Sequence, residues 1–234
     1  LGLFLFGMKY MSDGLNQVAG NKMRLLLEKL TRNRFKGFLL GVLVTAVIQS
    51  SSATTVMLMG FLNAGIMDLA QATGVIIGAN IGTTITAVLI AIDVSAIAPF
   101  CIFIGTVMAL FSKKQTQKFI GQIILGFGVL FFGLKYMSGP EAMGVLKTSA
   151  AFQAFITKAN NPFLGLLIGF IMCSVLQSSS ASIGVLQALA MTSASLMPMK
   201  FAIYLIIGIN VGSAMPLFLS ALGAKTNAKR AAVI

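Results

Sequence analysis

Gln49-Ser50-Ser51-Ser52-Ala53 and Gln177-Ser178-Ser179-Ser180-Ala181 are the same five residues, 128 positions apart, each set inside a hydrophobic stretch. They belong to a longer duplication. Gly7-Met8-Lys9-Tyr10-Met11-Ser12 returns as Gly133-Leu134-Lys135-Tyr136-Met137-Ser138, and Gly78-Ala79-Asn80-Ile81-Gly82-Thr83 as Gly208-Ile209-Asn210-Val211-Gly212-Ser213, at offsets of 126 and 130. Apolar composition alone produces chance matches among Leu, Ala and Gly, but not three polar-containing strings in register. A period this long is foreign to solenoids and propellers and fits a membrane transporter built from two repeats.

Composition places the chain in a membrane: 57% of residues are hydrophobic and 9% charged, with no His and no Trp, and the mean hydropathy is +0.95. A net charge of +12 would suggest nucleic acid in a soluble protein. Here most of the Lys and Arg gather between apolar runs, where they read as topology signals and lipid-headgroup contacts. Cys101 and Cys173 have no paired spacing and read as small packing residues. Without His there is no Ser-His-Asp triad, and no carboxylate pair, Cys/His cluster or Walker-type loop is present, so an enzyme is not expected.

The first apolar run ends at Lys9 after eight residues, too short for a hydrocarbon core of ~30 Å, so the numbered chain is expected to begin inside a helix and to stop, at Ala231 to Ile234, as another opens. Spanning helices are expected over 71–92, 95–111, 119–137 and 201–222, with 14–30 as an amphipathic surface helix. Stretches 37–65 and 163–197 carry the serine strings near their middles and read either as long helices or as re-entrant hairpins. Charge favours hairpins. Segment 13–36 holds Lys22, Arg24, Lys29, Arg32, Arg34 and Lys36, whereas its counterpart 139–162 holds only Lys147 and Lys158; residues 93–94 have no Lys or Arg, whereas 223–230 has Lys225, Lys229 and Arg230. Hairpins leave three crossings per repeat, an odd number, which inverts the second copy and puts the basic loops on one side. The expected fold is therefore all-α, with membrane repeats 1–112 (hairpin about 37–65) and 113–234 (hairpin about 163–197) of inverted topology, and the two tips meeting near the midplane.

Serine competes for backbone hydrogen bonds and breaks helices. A second arm starting near Ala53 or Ala181 then points free N–H groups and a positive dipole end at its surroundings. Three hydroxyls and a carboxamide beside those donors suit an anion, with spare oxygens for a hard cation. The competing reading is that small residues merely let helices approach closely, but packing has no need of a repeated Gln. Asn80, Thr83 and Thr84 lie within a spanning segment, where Asn is costly without a partner, and are candidate Na⁺ ligands. Asn210 and Ser213 keep that chemistry in the second copy, with Ala214 in place of the second Thr. Gly74, Gly78 and Gly82 form a packing stripe; Asp68, Asp93 and Glu141 fall at membrane edges.

The paired Gln-Ser-Ser-Ser strings, each followed by a Gly-x-Asn-x-Gly segment, resemble the type II sodium-dependent phosphate cotransporter family, including its bacterial members, over essentially the whole chain. The resemblance implies Na⁺-driven uptake of inorganic phosphate through two inverted repeats in a bacterial plasma (inner) membrane. It implies phosphate at Gln49, Ser50, Ser51, Ser52, Gln177, Ser178, Ser179 and Ser180. It places Na⁺ near Asn80, Thr83, Thr84, Asn210 and Ser213, within reach of Gln49 and Gln177. Phosphate, Na⁺ and membrane lipids are then the expected partners, with no organic cofactor and no nucleic acid. No Lys or Arg stands at the tips, so Na⁺ must help to meet the phosphate charge. The alternatives are a passive anion channel, a transporter of another oxyanion, or a membrane scaffold that transports nothing.

Overall fold

The computed structural model describes residues 1–30, 34–92, 94, 96–152, 154, 161–192, 197–222, 224 and 226–233. Among the described residues every regular element is a helix. Three helical stretches are long and apolar enough to cross a membrane: Leu69–Ala91, Gln115–Ser138 and Met199–Ala221, of 23, 24 and 23 residues; Gln115–Ser138 is unbroken and rises about 36 Å, whereas a turn at Thr83 interrupts the first and one at 213–214 the third. They realise the expectations over 71–92, 119–137 and 201–222. The first is started by a reciprocal cap in which the Gln71 amide donates to Asp68 Oδ1 at 2.7 Å and the Asp68 amide donates to Gln71 Oε1 at 2.8 Å.

Two expectations need correction. The fourth spanning candidate, 95–111, is a helix of only 14 residues, Ala98–Phe111, which rises about 21 Å. Pro99 fixes its start, and Ser112 turns extended at its end, just before Lys113 and Lys114. The surface helix expected over 14–30 is no separate element, because Gly2–Leu30 is one helix of 29 residues. Ser12-Asp13-Gly14 looks like a boundary, yet no proline enforces one. Gly14 is spent on close packing instead: a Cβ there would stand 2.9 Å from Ile123 Cγ1 and 3.1 Å from the Phe119 carbonyl oxygen.

The duplicated strings build two matching triplets. Arg34–Ile48, Ser51–Ala64 and Leu69–Gly82 form one; Pro162–Leu176, Ser179–Thr192 and Met199–Gly212 form the other. In each, the outer two helices cross backbone to backbone, at positions where only glycine fits. A Cβ on Gly78 would collide with the Phe38 carbonyl and one on Gly41 with the Val75 carbonyl; in the second triplet Gly208 faces Leu166 and Gly169 faces Leu205 in the same way. At Gly78 and Gly82 the predicted stripe is thus a packing seam, matched by Gly208 and Gly212 in the second copy.

The chain divides into two compact units, Leu1–Gly14 with Ile90–Gly212 and Leu15–Leu89 with Ser213–Ile234. The unit containing Gln49 holds the first triplet, its core formed by Val44, Ile48, Leu58, Leu62 and Val75 with Leu27 and with Leu217 and Ala228 from helices Met215–Ala221 and Thr226–Ala231. The unit containing Gln177 holds the second triplet around Cys173, Leu205 and Ile209. In that unit, too, Gly7, Gly126 and Gly133 bring the first helix onto Gln115–Ser138, and Gly105 and Gly121 bring Ala98–Phe111 onto it.

Gly78→Ala and Gly208→Ala should each destabilise by about 1–3 kcal/mol or more, because the neighbour is backbone and cannot rotate away. Gly60→Ala, with nothing within 4 Å of the added Cβ, should be neutral or stabilising by about 0.5–1 kcal/mol. Thermal unfolding of the solubilised variants checks the contrast, and equal behaviour at Gly60 and Gly78 would refute it.

Candidate functional site

Each serine string interrupts a helix in one way. Helix Arg34–Ile48 ends at Gln49 with φ 60°, and Pro162–Leu176 ends at Gln177 with φ 50°. Among the described residues these two glutamines are the non-glycine positions with positive φ, a conformation that costs an L-residue about 1–2 kcal/mol. Each glutamine amide still closes the last turn, Gln49 N–H to the Thr45 carbonyl and Gln177 N–H to the Cys173 carbonyl, both at 2.7 Å.

The next residue, Ser50 or Ser178, starts the second arm. Ser50 is extended, with φ −147° and ψ 102°, and its Oγ accepts the Ala53 amide at 3.2 Å; Ser178 Oγ accepts the Ala181 amide at 3.2 Å. This is N-capping. The arms therefore begin at Ser51 and Ser179, two residues ahead of the expected Ala53 and Ala181, because the first serine of each string caps the helix and the next two join its first turn.

The arms then fold back on the break. Thr45 Oγ1 donates to Thr54 Oγ1 at 3.2 Å, both hydroxyls buried, although residues nine apart in an uninterrupted helix are separated by about 13.5 Å. The same positions 128 residues later, Cys173 and Ser182, are joined by a side-chain hydrogen bond. Thr54 and Ser182 also each donate to the carbonyl of the capping serine, at 3.0 Å in both copies. Cys173 is therefore a bonding residue as well as a packing one.

With the caps assigned, the remaining polar groups can be sorted. The hydroxyls of Ser51, Ser52, Ser179 and Ser180 make no hydrogen bond among the described residues, although Ser51, Ser179 and Ser180 are only 8%, 7% and 6% exposed. The first-turn amides of Ser51, Ser52, Ser179 and Ser180 precede the first intrahelical acceptor. Each tip thus gathers unspent hydroxyls and N–H groups at the positive end of a helix, an arrangement suited to an anion.

The two glutamines differ. Gln49 Nε2 donates to the Ala46 carbonyl, and Gln49 Oε1 accepts from Thr86 Oγ1 at 2.7 Å, with Thr86 buried. Gln177 is exposed and its carboxamide is unengaged among the described residues. Thr86 was not legible as a site residue. At the offset that aligns Thr83 with Ser213, its counterpart is Pro216, which has no hydroxyl. Ser174, also unmarked in the sequence, has a buried hydroxyl oxygen with no partner among the described residues.

The candidate cation ligands are less concentrated. Thr83 Oγ1 donates to the Ala79 carbonyl at 3.1 Å and Thr84 Oγ1 to the Ile81 carbonyl, so both hydroxyls serve their own helix while their lone pairs stay open. Thr83 lies between helices Leu69–Gly82 and Thr84–Ala91, one turn from Thr86 and therefore near Gln49. Asn80 is exposed on its helix, as is Asn210 on Met199–Gly212. Ser213 follows Gly212 at the corresponding break before Met215–Ala221.

Replacing Gln177 separates backbone from chemistry. Gln177→Gly should hold or raise thermal stability, and Gln177→Val should lower it by about 1–3 kcal/mol, since β-branched residues resist the left-handed region. Unfolding curves that rank Val above Gly would show that the break is not held in that conformation.

Comparison with known proteins gives a consistent assignment. The family model described as Na+/Pi-cotransporter matches residues 3–139 and 145–234. The "Uncharacterized protein YqeW" of Bacillus subtilis (strain 168) is 29% identical over 98% of this chain and 73% of its own length. The "Putative inorganic phosphate export protein YjbB" of Escherichia coli (strain K12) is 28% identical over 100% of this chain. The rat "Sodium-dependent phosphate transport protein 2A" is 32% identical over 95 residues, 39% of this chain and 15% of its own. The chain spans 42% of the length of the Escherichia coli relative. No solved structure matches it.

Proposed function

Because the chain belongs to the Na+/Pi-cotransporter family, we propose that it carries inorganic phosphate inward across a bacterial plasma membrane, coupled to Na⁺, by alternating access. The observation that carries this reading is that both non-glycine residues of positive φ among those described are the glutamines heading the serine strings. Strain of this kind persists where surroundings enforce it, and it gathers at functional sites. Ser51, Ser52, Ser179 and Ser180 donate hydroxyl protons to the phosphate oxygens, joined by the amides of the same turns. Ser50 and Ser178 can still donate their own O–H while capping, and Gln49 and Gln177 complete the polar lining. Na⁺ is assigned to Asn80, Thr83, Thr84, Asn210 and Ser213, with Gln49 Oε1 and Gln177 Oε1 as shared oxygens.

Electrostatics supplies the coupling. Phosphate brought to hydroxyls and amides in a poorly solvated setting lacks a compensating full charge, since neither string nor the residues flanking it include Lys or Arg. Bound Na⁺ supplies that charge, and linkage makes the effect reciprocal: phosphate tightens Na⁺ as Na⁺ tightens phosphate. Purified protein in liposomes with an inward Na⁺ gradient should accumulate phosphate above equilibrium and stop when the gradient is collapsed. Ser51→Ala and Ser179→Ala should each raise the half-saturating phosphate concentration, by about fivefold or more if a charge-assisted hydrogen bond is lost. Passive equilibration would instead identify a channel. The name of the Escherichia coli relative favours a second reading, outward movement, which the same liposomes test as gradient-driven depletion.

We further infer that the helix pairs around Gln49 and Gln177 are re-entrant hairpins and that repeats 1–112 and 113–234 face opposite sides of the membrane. First arms of 15 residues rise about 22 Å, past the midplane of a ~30 Å core without crossing it, and matched loops differ in charge as positive-inside topology requires. Single cysteines placed in 13–30 and in 139–152, with Cys101 and Cys173 removed, should label from opposite sides; labelling from one side would overturn the inversion.

A further inference from the structure

A cleft of about 580 Å³ lies beside the start of helix Ala98–Phe111 and the end of helix Gln115–Ser138, within the unit containing Gln177. Its wall includes Pro99, Phe132, Tyr136 and Pro140, and its charged groups are Lys135 and Glu141. Phe132 and Tyr136, one turn apart, pack in a tilted pair with ring centroids at 5.1 Å and planes at 45°. Phe100 and Phe103 continue the apolar surface along the shorter helix, 68% and 71% exposed. Lys135 and Glu141 are both exposed, and neither forms an ion pair among the described residues. One unpaired cation, one unpaired anion and an aromatic wall thus share a single recess.

We propose that this cleft binds a phospholipid with a primary-amine headgroup, phosphatidylethanolamine. Lys135 and Tyr136 occupy the last turn of a membrane-length helix, the depth at which lipid phosphates lie and where Tyr and snorkelling Lys are favoured. The Lys135 ammonium meets the lipid phosphate. The lipid ammonium donates to the Glu141 carboxylate, and an acyl chain lies along Phe132, Phe100 and Phe103. The pair of charges selects the headgroup. An anionic phosphatidylglycerol would satisfy Lys135 but leave Glu141 facing a net negative charge. A phosphatidylcholine has no N–H to donate to the carboxylate. Free inorganic phosphate shares the phosphate chemistry but makes no use of the aromatic wall. The inference requires only that these helix ends face lipid, so it stands or falls independently of phosphate transport.

Native mass spectrometry of the purified protein, mixed with equal amounts of phosphatidylethanolamine, phosphatidylglycerol and phosphatidylcholine, tests it. Phosphatidylethanolamine should be retained preferentially, and 10 mM-scale inorganic phosphate, on the order of a low-affinity ligand's working range, should not displace it. Lys135→Ala should reduce its retention about tenfold, the loss of one charge-assisted contact. Glu141→Gln should leave a lipid bound but remove the preference over phosphatidylglycerol. Both side chains are exposed, and unchanged unfolding curves would confirm that the variants are folded. Equal retention of the three lipids, displacement by inorganic phosphate, or retention of phosphatidylethanolamine unaffected by both substitutions would overturn the proposal.

Discussion

A broken helix leaves amide and carbonyl groups without intrahelical partners, and the hydrogen bonds that close and cap the arms at Gln49 and Gln177 answer that constraint. The glutamine amide closes the first arm, the serine after it caps the second, and the carbonyl of that serine accepts both an amide and a hydroxyl from the next turn. Two residues of the five-residue string close the first arm and cap the second, while the first-turn amides of the next two serines stay open. The rest of the string is left for other work, which is why hydroxyls with little exposure can remain unspent.

The duplication repeats geometry more closely than chemistry. Thr45 with Thr54 and Cys173 with Ser182 make one link from different side chains, and the glycine crossings coincide at both copies. The glutamines have diverged. Thr86 holds the Gln49 carboxamide in one orientation, whereas the aligned position has become Pro216. An amide already oriented has little freedom left to lose, and an exposed one has more, so two tips of equal sequence are preorganised to different degrees.

Much of this could be read from residues alone, because the determinants are local. A serine string in an apolar run has few ways to satisfy its backbone, and Gly78 and Gly82 one turn apart can only make a seam. The string breaks the helix as its serines suggest, and only the start of the second arm differs, at Ser51 and Ser179, because one serine of each string serves as the cap. Where legibility failed, the decisive contact came from far along the chain. Ser12-Asp13-Gly14 looks like a helix end until Gly14 is set against Phe119 and Ile123. Thr86 is an ordinary mid-helix threonine until Gln49, 37 residues earlier, is placed beside it. Residues 95–111 have the composition of a spanning helix, and only the start fixed by Pro99 and the extended turn at Ser112 cut it short.

The glycine seams also have a mechanical meaning. Two helices in backbone contact at Gly41 and Gly78, or at Gly169 and Gly208, are keyed together like cogs: sliding either by a residue would drive a side chain into a carbonyl. Within each triplet shear is therefore blocked, and the outer helices can be displaced only as one block. The second arm lies outside the seam and is held instead by side chains, Leu58 and Leu62 among them, and the turn at Gly65 with φ 73° joins it to the next helix. Stiffness is apportioned along the chain by where glycine sits.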